Sequence, residues 1–389
     1  MWPGASTALI AGLILAQSAQ TQDCRRIPAT SAPSPTPPPS TGAPPTDTFT
    51  TQDGVRLRVE VAAANLEVPW SMAFAPDGRL FVTERPGRVR ILNFEAGTME
   101  LALTIDDTFA QGEAGTLGLA LDPDFPTSRL VYVYHTARAG GSAVNRLVRY
   151  REVAGRLGER VVLVDNVPAN TIHDGGRIRF GPDGLLYIST GDASTQSVSQ
   201  DLGSLGGKVL RLNRDGTTPR DNPFGSPVYT YGHRNPQGFD WHPATGQLWA
   251  SEHGATGNDE INVLRRGANY GWPIIQGAAT MPGMEAPMTF FNPAIAPSGA
   301  SFYRGRAVPQ FENNLFVATL RGTHLLRLQL DAAGTRIVAQ ERLLEERYGR
   351  LREVVSGPDG WLYLSTNNRD GRGNPESADD RILRLVPAS

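Results

Sequence analysis

The sequence has 389 residues, 20% of them charged and 40% hydrophobic, and its 37 basic and 39 acidic residues leave a formal net charge of -2. A chain of this length can bury a large core, and its near-neutral balance, without a basic stripe, argues against a nucleic-acid binder. The 42 glycines and 30 prolines suggest many turns, as in an all-β protein of short strands, while the single cysteine, Cys24, rules out an intramolecular disulfide and a zinc–cysteine cluster.

Residues 5–16 (ASTALIAGLILA) are an apolar run too short to span a bilayer, with small residues following at Ser18 and Ala19. They read as a secretory signal over residues 1–19, so the protein is expected to be periplasmic or secreted. No other segment approaches transmembrane length, and no membrane span is expected. Residues 28–46 (PATSAPSPTPPPSTGAPPT) carry no core-forming side chains, which makes 20–46 a solvated linker and 47–389 the folded domain. Cys24, within that linker, is expected to be free or partner-linked.

One pattern then recurs: apolar residues, a turn of the Pro-Asp-Gly type, a short strand of alternating apolar residues, and a polar end. It occupies 73–85 (AFAPDGRLFVTER), 120–136, 179–192, 240–254 and 355–371, with a degenerate copy at 311–322. Glycine supplies the turn's positive φ, and the run that follows has the strand period of two. Other strand-like runs, 88–92, 146–150 and 208–212, lie between the copies. Six repeats of roughly fifty residues predict an all-β fold, a six-bladed β-propeller. A β-sandwich array is the alternative, but its strands do not repeat one turn motif in this way. A propeller brings equivalent strand ends to one face, so the polar ends at 83–85, 189–192, 251–253, 319–321 and 365–367 are expected to converge there.

Candidate chemistry lies along this frame. Glu113, in GEAG ahead of the second repeat, is a candidate wall residue. His173, in TIHDGGRI, precedes a glycine pair and the third repeat's strand; histidine takes up a proton near neutral pH, and Asp192 at the same repeat's polar end could orient its ring. A turn histidine held only by hydrogen bonds is the plainer alternative. Residues 231–273 are the most informative stretch. Arg234 and Asn235 stand in a Gly/Pro-bounded turn, a short strand follows, and the loop HGATGNDEIN combines flexible carbonyls with Asp259, Glu260 and Asn262, oxygen ligands of the kind hard cations take. Turn and loop look like two walls of one site, although glycine, asparagine and aspartate also make ordinary turns. Arg321, then Arg350 and Arg352 on one side of a strand, could hold carboxylates or phosphates bidentately and imply a multiply anionic ligand. In a chain whose only lysine is Lys208, solvated strand arginines are the alternative. There is no P-loop, no dinucleotide fingerprint, no H-E-x-x-H and no G-x-S-x-G.

The pieces PWSMAFAPDGRLFVTER, GEAGTLGLALDPDF, HDGGRIRFGPDGLLYISTGD, GHRNPQGFDW, SEHGATGNDEINVLRRGANYGWP, LRG and GRLREVVSGPDGWLY occur in one order from residue 66 to the C-terminus. In that order they resemble the soluble PQQ-dependent aldose sugar dehydrogenases of the glucose/sorbosone dehydrogenase type, which are six-bladed propellers. The resemblance implies pyrroloquinoline quinone (PQQ) over the channel mouth with calcium, and oxidation of an aldose sugar at its anomeric carbon to a lactone. It implies that His173 is the general base, taking the anomeric hydroxyl's proton as a hydride passes to the quinone. Arg234 would contact the reacting quinone oxygen, with Asn235 binding the cofactor beside it. Arg321, Arg350 and Arg352 would hold the cofactor, and the Gly254 and Ala255 carbonyls the calcium against it. The Glu260 carboxylate and Tyr270 carbonyl match a second, structural calcium; Glu113 falls beside the cofactor and substrate, and Asp192 matches a supporting carboxylate.

Three departures from the family pattern stand out, the one at Ala255 mattering little to a carbonyl ligand. Ile172 stands where glucose-oxidising members carry aspartate, Ala255 replaces a proline, and the stretch 275–300 lacks the long inserts of some relatives. A broad aldose range and a monomer are therefore expected, with an unidentified electron acceptor. Two rival readings remain. A calcium-dependent six-bladed propeller lactonase or hydrolase has a nearly neutral substrate and leaves the three arginines unexplained. A secreted binding module predicts erosion of the histidine or the arginines.

Overall fold

The Pro-Asp-Gly turns reverse the chain as their composition dictates. In the first repeat the Ala75 N–H donates to the Arg79 carbonyl (2.8 Å) and Gly78, at φ 84°, completes the turn, so Pro69–Phe74 pairs antiparallel with Leu80–Glu84. In the computed structural model, which describes Met1 and residues 47–388, this hairpin begins a four-stranded sheet. The unit recurs to give six small sheets in a ring, the predicted six-bladed propeller. Pro69–Phe74, Thr116–Leu121, Ile178–Phe180, Pro236–Trp241, Pro297–Phe302 and Leu351–Ser356 are the first strands of the six blades. The sixth blade has five strands, because Arg56–Ala63 pairs with Ile382–Pro387 and Asp47–Thr50 extends it. The two ends of the domain are thus hydrogen-bonded into one sheet, and the ring opens only if that ladder breaks.

Six apolar clusters fill the gaps between neighbouring blades, one per gap. Phe81 and Val89 of the first blade, for example, meet Val131 and Val148 of the second. Because each sheet is covered on both faces, second strands such as Leu80–Glu84, Leu186–Thr190 and Leu362–Thr366 are buried along their whole length. The polar ends in the sequence are therefore partly structural. Thr83 Oγ1 donates to the Leu117 carbonyl (2.6 Å), Ser251 Oγ to that of Ser298 (2.6 Å) and Ser365 Oγ to that of Pro69 (3.4 Å), each a bond to the next blade.

The ring's interior is closed by charge as well. Arg177, 1% exposed, pairs with buried Glu353, donates to Ser71 Oγ (3.1 Å) and the Gln237 carbonyl (3.0 Å), and lies 4.5 Å over the Trp70 ring. That one side chain ties together the first, third, fourth and sixth blades. The secretory signal, the linker and Cys24 lie outside the described residues, among which no helix is long and apolar enough to cross a membrane.

Candidate functional site

His173 is built into place before its ring does anything. Its backbone is left-handed, at φ 65°, a conformation that costs about 1–2 kcal/mol for a residue with a side chain. The surroundings impose it: the His173 N–H donates to Glu113 Oε2 (3.2 Å) and its carbonyl accepts from the Ala193 N–H (3.1 Å). Gly191 packs against the same carbonyl so closely that a Cβ there would lie 1.8 Å from it. The glycine that ends the third repeat's strand is thus required by the histidine.

The ring is oriented from both sides. Nδ1 lies 2.8 Å from Asp192 Oδ1, and Nε2 lies 2.9 Å from Arg234 Nη2. A guanidinium only donates, so Nε2 carries the lone pair and the ring proton sits on Nδ1, donated to the carboxylate. Asp192 is itself fixed, since Oδ1 also accepts the Ser194 N–H (2.8 Å) and Oδ2 accepts Trp272 Nε1–H (2.9 Å). The Arg234 guanidinium lies 5.4 Å over the Trp272 ring, donates to the His253 carbonyl (3.3 Å), and has its pKa lowered by burial. Its main-chain N–H is held by Glu252, whose other oxygen is 2.8 Å from His233 Nδ1.

Asn235 is buried beside this pair, with Oδ1 accepting the Gly175 N–H (3.0 Å) and Nδ2 facing Glu113 Oε2 (3.5 Å). Burial works to raise the Glu113 pKa, but the attraction of His253 and the hydrogen bond from Arg372 outweigh it and bring the carboxyl down to about 2. His173, Asp192, Arg234, Asn235 and Glu113 therefore form one contiguous cluster.

The three arginines reach different partners. Arg352, 3% exposed, donates to Gln237 Oε1 (2.6 Å), lies 5.5 Å over Trp70, and has its pKa lowered to about 9 by burial. Its buried Nε has no partner among the described residues. Arg350 precedes the strand Leu351–Ser356, whose register shifts between Leu351 and Glu353; its Nε donates to Asp370 Oδ2 (2.9 Å) and Nη1 to the Leu320 carbonyl (3.3 Å). Arg321 is exposed and shares with Arg350 and Arg372 the walls of a cleft of about 410 Å³.

The loop after His253 is drawn tight. The Gly254 N–H donates to Asp259 Oδ1 (2.8 Å), and a Cβ on Gly254 would lie 2.0 Å from the Gly257 carbonyl. The carbonyls of Gly254, Ala255 and Tyr270 accept no hydrogen bond from the described residues. Asp259 is spent on structure, its Oδ2 accepting the Ile295 and Ala296 N–H groups (2.7 Å each). Glu252, Gly254, Glu260 and Tyr270 line a cavity of about 10 Å³, the room one water or ion needs. Burial, with Glu252 adding to it, raises the Glu260 pKa to about 7. The Glu260 carboxyl, the unbonded carbonyls of Gly254 and Tyr270 and a small cavity form an oxygen donor set that fits a hard divalent cation. An unpaired buried guanidinium nitrogen on Arg352 and a cleft walled by Arg321 and Arg350 fit a polyanionic cofactor.

Sequence reasoning passed over Trp272, Glu252, Asp370 and Arg372. Glu252 lay within a quoted polar end and Trp272 within NYGWP, but nothing in NNRDGRG set Arg372 apart from a surface turn.

Residues 66–383 match the Glucose / Sorbosone dehydrogenase family. The aldose sugar dehydrogenase YliI of Escherichia coli is 32% identical over 340 residues, which cover 81% of this chain and 91% of that protein. Quinoprotein glucose dehydrogenase B of Acinetobacter calcoaceticus is 27% identical over 425 residues, 84% of this chain and 88% of that one. The PQQ-bound aldose sugar dehydrogenase of Streptomyces coelicolor superposes with a TM-score of 0.78 at 37% identity, covering 88% of this chain and 99% of that structure. A glucose dehydrogenase-like oxidoreductase of Thermus thermophilus gives the same TM-score at 45% identity, with 85% and 100% covered.

Proposed function

The chain belongs to the glucose/sorbosone dehydrogenase family, and from that premise we propose that it oxidises aldose sugars at the anomeric carbon to lactones, using PQQ and calcium. The observation that carries this reading is the fixed His173 tautomer, with Asp192 behind the ring and Arg234 in front of it. When bound, the quinone supplies the centre that accepts the hydride, and calcium polarises its carbonyl.

The chain's own residues do the rest. The sugar's anomeric hydroxyl donates to His173 Nε2, which takes its proton; the resulting imidazolium is stabilised by Asp192 on Nδ1. Arg234, freed from Nε2 by the hydroxyl, keeps its positive charge at the point where negative charge develops, in a half-buried setting that strengthens the effect. Asn235 fixes the floor beside it. Arg321, Arg350 and Arg352 would hold the cofactor's carboxylates, and the Gly254 and Ala255 carbonyls would hold a calcium. Glu260 and the Tyr270 carbonyl would hold a second. The apolar run at 5–16 supports delivery to the periplasm or the medium, and the enzyme acts as a monomer on an unidentified acceptor.

The arginines favour this reading over a calcium-dependent lactonase, whose substrate offers them nothing to bind. The test is to reconstitute the apo-protein with PQQ and calcium and follow dye reduction with several aldoses. Turnover is expected with more than one sugar, and His173→Ala is expected to bind PQQ yet lose turnover. Absence of both dye reduction and any PQQ absorbance change sinks the proposal.

A further inference from the structure

Arg372 has no role in the mechanism above, yet it stands where the loops of three blades meet around His173. Its Nη1 donates to Glu113 Oε1 (2.7 Å), while Oε2 of the same carboxylate accepts the His173 N–H (3.2 Å) and faces Asn235 Nδ2 (3.5 Å). Among the described residues no other group bonds Oε1. Glu113 and the histidine segment are also clamped in the other direction, since the Glu113 N–H donates to the Thr171 carbonyl (2.7 Å).

Arg372 is anchored independently of its partner. Its main-chain N–H donates to Asp370 Oδ1 (2.8 Å), and Asp370 Oδ2 accepts both Arg350 Nε (2.9 Å) and Asn367 Nδ2 (2.7 Å). Gly373 seals the loop, for a Cβ there would sit 2.7 Å from the Asn368 carbonyl and 3.0 Å from Arg350 Cδ. The arginine side chain is 52% exposed and the glutamate 15%, so a cation fixed at the rim aims a carboxylate set further in.

A surface ion pair with no further connection contributes little. This one ends on the N–H of a residue held at φ 65°, whose ring aim depends on that backbone. We propose that Arg372 is a positioning residue for the oxidation: through Glu113 it fixes the His173 main chain, and so the direction of Nε2 toward an aldose hydroxyl, without itself binding the cofactor. The inference rests on His173 acting as the base.

Two variants, Arg372→Gln and Arg372→Lys, test it in the full-length protein, with PQQ titrated by fluorescence quenching and turnover measured in the reconstituted enzyme. For Arg372→Gln, kcat is expected to fall about 10- to 100-fold, the cost of a misaimed group. KM and the PQQ Kd should stay within about threefold of the parent. Arg372→Lys should recover most of the loss, and Glu113→Gln with Arg372→Gln should be no slower than Glu113→Gln alone, since the two act in series. In the apo-protein, deuterium exchange at the His173 amide should be at least about tenfold faster in Arg372→Gln.

A PQQ Kd raised about tenfold with kcat intact would instead make Arg372 a cofactor ligand. Additive losses in the double variant, or unchanged exchange at His173, would reduce the pair to a surface contact. The exchange experiment needs neither cofactor nor sugar. It therefore reads the coupling even if the reconstituted parent oxidises no aldose, in which case the functional reading falls separately.

Discussion

Asp192→Asn is the substitution that most closely interrogates the base. The carboxylate is buried and receives three donors: His173 Nδ1–H and Ser194 N–H at Oδ1 (2.8 Å each) and Trp272 Nε1–H at Oδ2 (2.9 Å). Asparagine keeps the shape but brings an NH2 group that must face one side or the other. Facing Trp272, it sets donor against donor and leaves a buried N–H unpaired, at about 1–3 kcal/mol of stability. Facing His173, it is accepted only if the ring proton moves to Nε2, where it meets Arg234 Nη2 and the base is lost. Losing the charge-assisted bond that stabilises the imidazolium removes about 1.5–3 kcal/mol, and the tautomer penalty adds to it. At 1.36 kcal/mol per decade the two together lower kcat about 10²- to 10⁴-fold. The assay is dye-linked aldose oxidation by the reconstituted variant, with PQQ binding and thermal unfolding measured alongside. PQQ affinity within about threefold of the parent and a Tm lower by a few degrees are expected. A variant whose kcat stays within about threefold of the parent's refutes both the tautomer and the role of Asp192.

Glu353→Gln removes the one carboxylate among the described residues that pairs with Arg177, 1% exposed, and should cost about 3–5 kcal/mol in urea unfolding; a loss of only a few tenths would mean the pair does not lock the blades. Glu113 titrates at about 2 in the fold against an ordinary 4.5, so its contribution to stability is complete above 4.5 and disappears as pH falls toward 2. Between those values the apo-protein should lose stability more steeply than Glu113→Gln, and parallel acid-unfolding curves would contradict the ion pair. Arg350→Ala should raise the PQQ Kd at least about tenfold, the loss of one charge-assisted contact; unchanged affinity would leave Arg350 as the structural partner of Asp370.

The propeller was legible because its turn is local chemistry: Pro-Asp-Gly makes its own bend, and six bends in register imply a ring. His173, Asp192, Arg234, Asn235 and Glu113, which the structure gathers into one cluster, each stood within two residues of a glycine or a strand end. Burial was less visible. The alternation along 80–84 suggested one covered face, yet the neighbouring blade covers the other, and Thr83, Ser251 and Ser365 serve the blade seams. Long-range pairs could not be read at all. Arg177 and Glu353 lie 176 positions apart, and Glu113 and Arg372 lie 259 apart. Only closure of the ring brings such residues together, and each alone looks like an ordinary charge in an arginine-rich chain. Strand alternation put Arg350 and Arg352 on one side of a strand, but Arg350 lies just ahead of that strand and the two donate to different protein groups.

The central claim is that this site removes a hydride and a proton from the anomeric position of an aldose. It is tested most directly by anaerobic single turnover of the full-length protein loaded with PQQ and calcium, using an aldose with deuterium or protium at C1. One lactone per bound PQQ is expected, with a matching change in the cofactor's absorbance and a slower rate with deuterium. Loaded protein that forms no lactone, or forms it with no change in PQQ absorbance, contradicts it.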